Sequence, residues 1–304
     1  MKKIRKAVLP VAGFGTRVLP ATKSIPKEML PVVDRPALQY VVDEAFEAGI
    51  EHIVFVTGRN KGAIEDYFDR AYELEATLHQ KNKRGILAQL QKGLPGPGTT
   101  SFVRQQSPQG LGHAVWCARD VIGDEPFAVL LPDVLVKSEP GCLKQMMQAY
   151  DKKGGNIIAV NPVPKDQTDK YGVIAPVSQD GNIYKMSAMV EKPDPKDAPS
   201  NLSITGRYLL QPEIFKFLED QKPGAGNEIQ LTDAMAKLMD VSPFHAVEFE
   251  GDAHDCGSKL GYFKAVCAYA VDHDEIGEDA RDLIMGLCQL PEYQGNSIIG
   301  RGTK

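Results

Sequence analysis

Five short apolar runs, at residues 7–11, 53–57, 101–103, 127–131 and 157–160, constrain the fold more than any other feature of this chain. Each is too short to be a buried helix, and each is unbroken by the polar alternation of a half-exposed strand. Between them lie stretches with apolar residues at helical spacing: 36–48, closed by the cap signal Gly49, then 61–91, 111–119 and 142–150. Fully apolar strands separated by helices predict an α/β fold, with a Rossmann-like, mostly parallel sheet covered on both faces. In such sheets ligands sit beyond the carboxyl ends of the strands. The loops after Val11, Val103 and Leu131 are therefore the ones to read for chemistry.

From about residue 161 the pattern changes. Residues 171–211 carry short β-like runs and the turn signal Gln179-Asp180-Gly181-Asn182, which predicts an antiparallel excursion laid over the first sheet. Helical spacing returns at 212–218, 228–239 and 257–269. No internal repeat divides the 304 residues. The expected organisation is one domain, with a first half to about 160, a second half to about 255, and C-terminal helices over about 256–295. The acidic stretch 272–282 reads as a solvated helix face.

The first loop is the most informative. Gly13-Phe14-Gly15 follows the first strand, and Asp34 lies 21 residues after Gly13, which mimics a dinucleotide-binding fingerprint. The third glycine position is Val18, however. The fingerprint also needs a helix to open here, and Pro20, Pro26 and Pro31 forbid a regular one. Both features argue against a dehydrogenase of that type, which would also need to bind nicotinamide. No Gly-Lys-Ser/Thr follows, so a P-loop is excluded too. What remains is a glycine-started, proline-stiffened loop carrying Thr16, Arg17, Lys23 and Lys27. Glycine N–H groups approach anions closely, and the cations add full charge, so the loop suits a triphosphate.

Charge is consistent with a small anionic ligand. The net charge of -5 argues against a polymeric nucleic acid, yet residues 1–35 hold eight Lys/Arg and only two acids. The five cysteines are scattered and form no CxxC pair, so neither a disulfide framework nor a thiolate zinc site is expected. No apolar run approaches the ~20 residues that span a bilayer. The basic, then apolar N-terminus mimics a signal peptide, but its apolar part is glycine-broken and interrupted by Arg17. A cytoplasmic protein without membrane contact is the expectation.

The residues Val11-Ala12-Gly13-Phe14-Gly15-Thr16-Arg17 and Pro26-Lys27-Glu28-Met29-Leu30-Pro31 resemble the signature of the sugar-nucleotide pyrophosphorylases. The resemblance runs over nearly the whole chain. It passes through residues 105–113, Leu131-Pro132-Asp133, Tyr171-Gly172-Val173, Glu191-Lys192-Pro193, residues 200–208 and His254-Asp255-Cys256-Gly257. The Lys-Glu-Met-Leu-Pro form and His-Asp-Cys-Gly point to the bacterial uridylyltransferase branch. Residues 294–304 match no motif.

The resemblance implies a nucleotidyl transfer between UTP and glucose 1-phosphate, giving UDP-glucose and pyrophosphate. The attacking phosphate oxygen is already ionised, so positioning and charge neutralisation are needed rather than a general base. Arg17 and Lys27 would meet the triphosphate, with Ala12, Gly13, Gly15 and Thr16 lining it, and Lys192 would hold the sugar phosphate. Asp133, ending an apolar strand, and Asp255 would hold Mg2+, which favours oxygen ligands and keeps several waters. Gln105 would read uracil, with Gln106 and Gln109 as nearby competitors, and Gly110 would let the base approach the backbone. Gly172, Glu191, Asn201 and Thr205 would line the sugar pocket. On a regular strand Glu191 and Lys192 face opposite sides, so both reach one ligand only if the chain bends there.

Bland roles are expected for other residues. His113 and His254 orient neighbours, while Trp116, Met146 and Met147 pack the core. Two alternatives stay open, a transferase using dTTP or another sugar phosphate, and a non-catalytic regulatory homologue. The second would predict damage to the loop cations or carboxylates, and all are present. The family resemblance implies a homodimer or homotetramer, with the helix over 257–269 as the place to look.

Overall fold

The chain enters through β1 (Lys6–Pro10), whose Ala7, Val8 and Leu9 are fully buried as an unbroken apolar run demands. A long loop leads to a small hairpin, β2 (Pro31–Val32) and β3 (Arg35–Pro36), and then to α1 (Ala37–Glu47) and β4 (His52–Thr57). Three helices follow, α2 (Gly62–Tyr67), α3 (Tyr72–Gln80) and α4 (Arg84–Lys92), where residues 61–91 read as one helical stretch. One break falls at Asn82, whose left-handed φ of 52° ends a helix turn that Asn tolerates better than most residues. The sheet continues with β5 (Thr100–Arg104), and α5 (Leu111–Cys117) and α6 (Arg119–Ile122) lead to β6 (Phe127–Leu130) and β7 (Val134–Lys137). Then come α7 (Cys142–Lys153), β8 (Asn156–Pro162), β9 (Gly172–Asp180), β10 (Ile183–Glu191) and β11 (Leu202–Leu210). The chain closes with α8 (Ile214–Glu219), α9 (Leu231–Leu238), β12 (Phe244–Glu248), β13 (Asp252–Asp255), α10 (Lys259–Ala270) and α11 (Gly277–Gln289). The computed structural model describes residues 1–289; the end of the segment expected to be helical to 295, and the tail 294–304, lie outside them.

Nine strands form one sheet in the order β5-β4-β1-β6-β11-β8-β12-β10-β9. β5, β4, β1 and β6 pair in parallel, as do β8 and β12, so the mostly parallel expectation holds. The antiparallel excursion needs correcting. It is not a layer over the sheet but part of it: β11 is inserted antiparallel between β6 and β8, buried along its full length. β9 and β10 extend the far edge, and a single Ser203–Val173 bridge folds the start of β9 back onto β11. β7 and β13 form a separate two-stranded ribbon.

The alternation of β1 sorts the core into two halves. Ala7 and Leu9 join α1 and α7 on one face, while Val8 joins α5, α8 and α9 on the other. Fully burying a side chain the size of Val8 or Leu9 contributes roughly 1.5–3 kcal/mol, which makes the sheet a rigid base for the loops at its carboxyl edge. Met146 is buried in the first cluster, and Met147 and Trp116 pack against the cores, as expected. Among the described residues no helix is long and apolar enough to cross a membrane.

Candidate active site

The loops that follow β1, β4 and β6 meet beyond the carboxyl ends of those parallel strands. Val11 N–H donates to Val56 O at 2.9 Å, prolonging the ladder just before the glycine loop departs. The prolines exclude a helix, and the loop instead makes three short 3-10 turns, Thr16–Val18, Ala21–Lys23 and Lys27–Met29. Gly15 stands before the first of them at φ 66°, a left-handed conformation that L side chains rarely adopt. Its carbonyl accepts from Thr22 Oγ1 at 2.7 Å, which folds the loop back on itself. Ala12 is buried at the loop base, and Gly13 faces the Lys27 stem.

This fold-back delivers two cations to Asp133. Lys27 Nζ donates to Asp133 Oδ2 at 2.6 Å, and Arg17 Nη2 stands 3.7 Å from the same oxygen. Burial opposes the charge on Lys27, but Asp133 and then Glu28 outweigh it and hold the ammonium above its ordinary pKa. Burial likewise opposes ionisation of Asp133, and Lys27 followed by Arg17 outweighs it, keeping the carboxyl below its usual range. Both groups are therefore charged at neutral pH.

Asp255 reaches the same corner through the β7–β13 ribbon, which pairs it with Val134, the neighbour of Asp133. Cys256 N–H donates to Asp133 O at 2.7 Å, and Gly257 N–H to Asp255 Oδ1 at 2.8 Å. A Cβ on Gly257 would lie 2.5 Å from Arg17 Nη2 and 2.8 Å from Asp255 Oδ1, so this position must stay small. Two carboxylates at one corner fit a hard divalent cation in donor chemistry. Among the described residues no group of three or more His, Cys, Asp or Glu side chains is placed to hold a metal. Such an ion would therefore draw its other ligands from phosphates and water. His254 is not part of that set: its ring packs edge-on against Tyr269, in keeping with an orienting role.

One pair at this site has no counterpart in the motif reading. Glu28, beside Lys27, is buried and accepts from Lys61 Nζ at 2.8 Å, with Lys61 also buried at the start of α2. The pair pins the Lys27 turn to the loop after β4. Its only sequence signal is a carboxylate set between apolar Met29 and Leu30 and a lysine. Lys61→Met keeps the stem but leaves the Glu28 carboxylate buried without its main partner. Breaking such a pair costs about 3–5 kcal/mol, so we expect a loss of that size in urea unfolding, together with reduced turnover. A variant as stable as wild type would mean that Glu28 finds another partner.

Gln105 ends up buried at the carboxyl end of β5, where its amide nitrogen donates to Gly110 O at 3.1 Å and meets His113 Nδ1 at 3.0 Å. His113 thus touches the amide of Gln105 and, along its own helix, stacks on Trp116. Gly110 has a packing reason to be glycine: at φ 109°, a Cβ would strike Glu228 and the Ile229 backbone at 2.8 Å. Trp116 lies next along this helix, with Arg119 stacked 3.6 Å over its ring.

Glu191 ends β10 and Lys192 follows it, and the bend that both need to reach one ligand is present. Lys192 adopts a left-handed φ of 48°, which turns its Nζ to within 3.6 Å of Glu191 Oε1. Glu191 Oε2 accepts from Thr232 Oγ1 at 2.8 Å, and Glu191 pairs across the ladder with Gly172. The phenol pKa of Tyr208 is raised by burial first and then by Glu191, with Asp133 adding, so the two carboxylates share a neighbour. Tyr171, before Gly172, is raised by burial and then by Asp255, with Arg17 opposing. Thr205 is buried against Asn161 at 3.4 Å, while exposed Asn201 is tied to Val163 O at 3.4 Å. Arg17, Lys27, Asp133 and Asp255 thus form one cluster and Gly172, Glu191 and Lys192 a second. Asn201 contacts neither.

Residues 6–271 match the family profile described as Nucleotidyl transferase. The UTP–glucose-1-phosphate uridylyltransferase of Bacillus subtilis strain 168 is 49% identical over 292 residues, covering 96% of this chain and 100% of that protein. Among solved structures, the UTP-bound UGPase from Acinetobacter baumannii superposes with a TM-score of 0.87 at 48% identity, over 94% of this chain and 100% of the other. A UDP-glucose pyrophosphorylase complexed with UDP-glucose superposes with a TM-score of 0.82 at 45% identity, over 89% of this chain and 100% of the other.

Proposed function

The chain belongs to the nucleotidyl transferase family, and on that premise we propose that it forms UDP-glucose and pyrophosphate from UTP and glucose 1-phosphate. The observation that carries this reading is the convergence of Arg17 and Lys27 on Asp133, beside Asp255, at the carboxyl edge of the parallel strands. A site so built handles polyphosphate rather than an acyl or glycosyl group.

An ionised oxygen of the sugar phosphate attacks the α-phosphorus of UTP, a new P–O bond forms, and the bond to the β-phosphate oxygen breaks with pyrophosphate leaving. Two polyanions must be brought together, so cations are needed on both sides of the reaction. Lys27 and Arg17 serve the triphosphate, with Ala12, Gly13, Gly15 and Thr16 around it. Lys192 serves the sugar phosphate, while Glu191 and the backbone at Gly172 meet sugar hydroxyls. Thr205 would line the same pocket, whereas Asn201, tied to Val163 O and touching neither cluster, has no contact that supports a place in it. Gln105 and the Gly110 backbone read the uracil edge. Asp133 and Asp255 would hold Mg2+, which when bound neutralises phosphate charge. Asp133, whose Oδ2 lies 2.6 Å from Lys27 Nζ, would be shared between such an ion and the ammonium that serves the phosphates. The same reading extends to a cytoplasmic homodimer or homotetramer, in which a second copy covers exposed Leu260 and Phe263 of α10.

The test is pyrophosphate release across a matrix of nucleoside triphosphates and sugar 1-phosphates, with and without Mg2+. UTP with glucose 1-phosphate is expected to give the largest kcat/KM, and only with the metal. A higher value for dTTP or for another sugar phosphate would replace the substrate assignment.

A further inference from the structure

Arg207 is the largest fully buried side chain among the described residues, and it belongs to neither substrate cluster. It sits on β11, directly across from Leu130 at the end of β6. Its guanidinium meets Glu44 of α1 through Nε, at 3.2 Å to each carboxylate oxygen, and through Nη2, at 2.8 Å to Oε2. The remaining donors turn elsewhere: Nη1 donates to Leu131 O at 3.0 Å and Nη2 to Val134 O at 2.8 Å. Those carbonyls bracket Pro132 and Asp133. Glu44 is fixed in turn by the Leu143 N–H at the start of α7, at 3.0 Å.

A buried ion pair is a poor way to gain stability, because apolar side chains of similar volume often do as well or better. What no apolar pair supplies is a rigid fork of donors for two carbonyls. The turn has few other ties. Val134 N–H reaches Leu131 O only at 3.3 Å, Leu131 N–H donates to Gly206 O, and Asp133 O accepts from Cys256 N–H. Without Arg207, the carbonyls of Leu131 and Val134 both lose their hydrogen bonds from β11, and only the Leu131 N–H stays tied to that strand.

The geometry points to Arg207, locked by Glu44, as a positioning residue that sets the 131–134 turn and so presents Asp133 to Lys27 and to a divalent cation. This inference rests on the proposed role of Asp133. Arg207 contacts no reacting group, and its effect passes through the turn.

Two variants test it. Arg207→Lys keeps a cation beside Glu44 but cannot serve both carbonyls, and the double variant Glu44→Leu/Arg207→Met replaces the pair with apolar volume. In either, amide hydrogen exchange at residues 131–134 should quicken and Mn2+ affinity, read by electron paramagnetic resonance, should fall about 10–100-fold, the range for residues that orient metal ligands. kcat should fall by a similar factor while KM for UTP stays near wild type, a split that general loosening of the fold does not produce. Folded variants with wild-type exchange at 131–134, wild-type Mn2+ affinity and wild-type kcat would overturn the assignment. If the wild-type protein makes no UDP-glucose, the substrate reading fails, while exchange and Mn2+ binding still decide the role of Arg207.

Discussion

Lys27→Ala is expected to lower kcat for UDP-glucose formation about 10²–10³-fold, the loss that follows removal of one preorganised charge-stabilising donor. The size follows from the surroundings of Lys27. Its ammonium is largely buried, held on a 3-10 turn between Pro26 and Pro31, and kept protonated by Asp133 and Glu28. A charge fixed in place and shielded from water acts more strongly on developing phosphate charge than a mobile surface lysine, and it needs no reorganisation during reaction. The substitution also frees Asp133 Oδ2 from its 2.6 Å partner, so Mn2+ affinity should hold or rise while turnover collapses. That opposite movement separates a catalytic cation from a structural one, because a variant that merely misfolds loses both. Circular dichroism and the thermal midpoint check the fold. A kcat within about threefold of wild type, well short of the range above, would remove Lys27 from the chemistry.

The residues that carry this prediction were readable because they sit at strand ends. Apolar runs locate the strands, the topology of a parallel sheet locates its carboxyl edge, and Arg17, Lys27 and Asp133 fall on loops that leave it. Glu191 and Lys192 were readable in kind, since Pro193 makes an irregular strand end plausible and the left-handed Lys192 supplies it. Other features leave no local trace. Glu28–Lys61 joins residues 33 apart and Glu44–Arg207 joins residues 163 apart, and no periodicity relates such pairs. β12, which pairs between β8 and β10, is hard to read from sequence because its five residues, Phe244–Glu248, are too few and too mixed to stand out from a loop. The same holds for β13, whose Asp252, His254 and Asp255 look like surface residues until the ribbon with β7 shows that they carry a carboxylate to the site. Glycine at position 110 answers to the Ile229 backbone as well as to any ligand.

Asp133 should give the second large effect, and two substitutions divide its causes. Asp133→Ala removes both the carboxylate and the anchor of Lys27, so turnover should fall at least about 10²–10³-fold and the saturating response to Mg2+ should disappear. An unchanged Mg2+ titration would refute the metal role. Asp133→Asn keeps the shape of the side chain and deletes only its charge. Burial then acts on Lys27 with only Glu28 opposing it, and the ammonium pKa must fall. In wild type the pKa of Asp133 is depressed and that of Lys27 raised, so the pair is intact between the ordinary values, 3.8 and 10.5. Its contribution to stability fades only as pH falls through the depressed carboxyl value or rises through the raised ammonium value. Neither group should therefore shape the neutral pH–rate profile of wild type. In Asp133→Asn a decline should enter from the alkaline side, where the now weaker ammonium loses its proton. The stability deficit of the variant should persist across neutral pH and shrink in strong acid, where the wild-type carboxylate is also protonated. Residual kcat/KM measured from about pH 6 to about pH 10 reads the first effect and urea unfolding reads the second. If the variant's profile stays as flat as that of wild type, then Lys27 does not depend on Asp133 for its charge, and the coupling between cation and carboxylate is not what tunes this site.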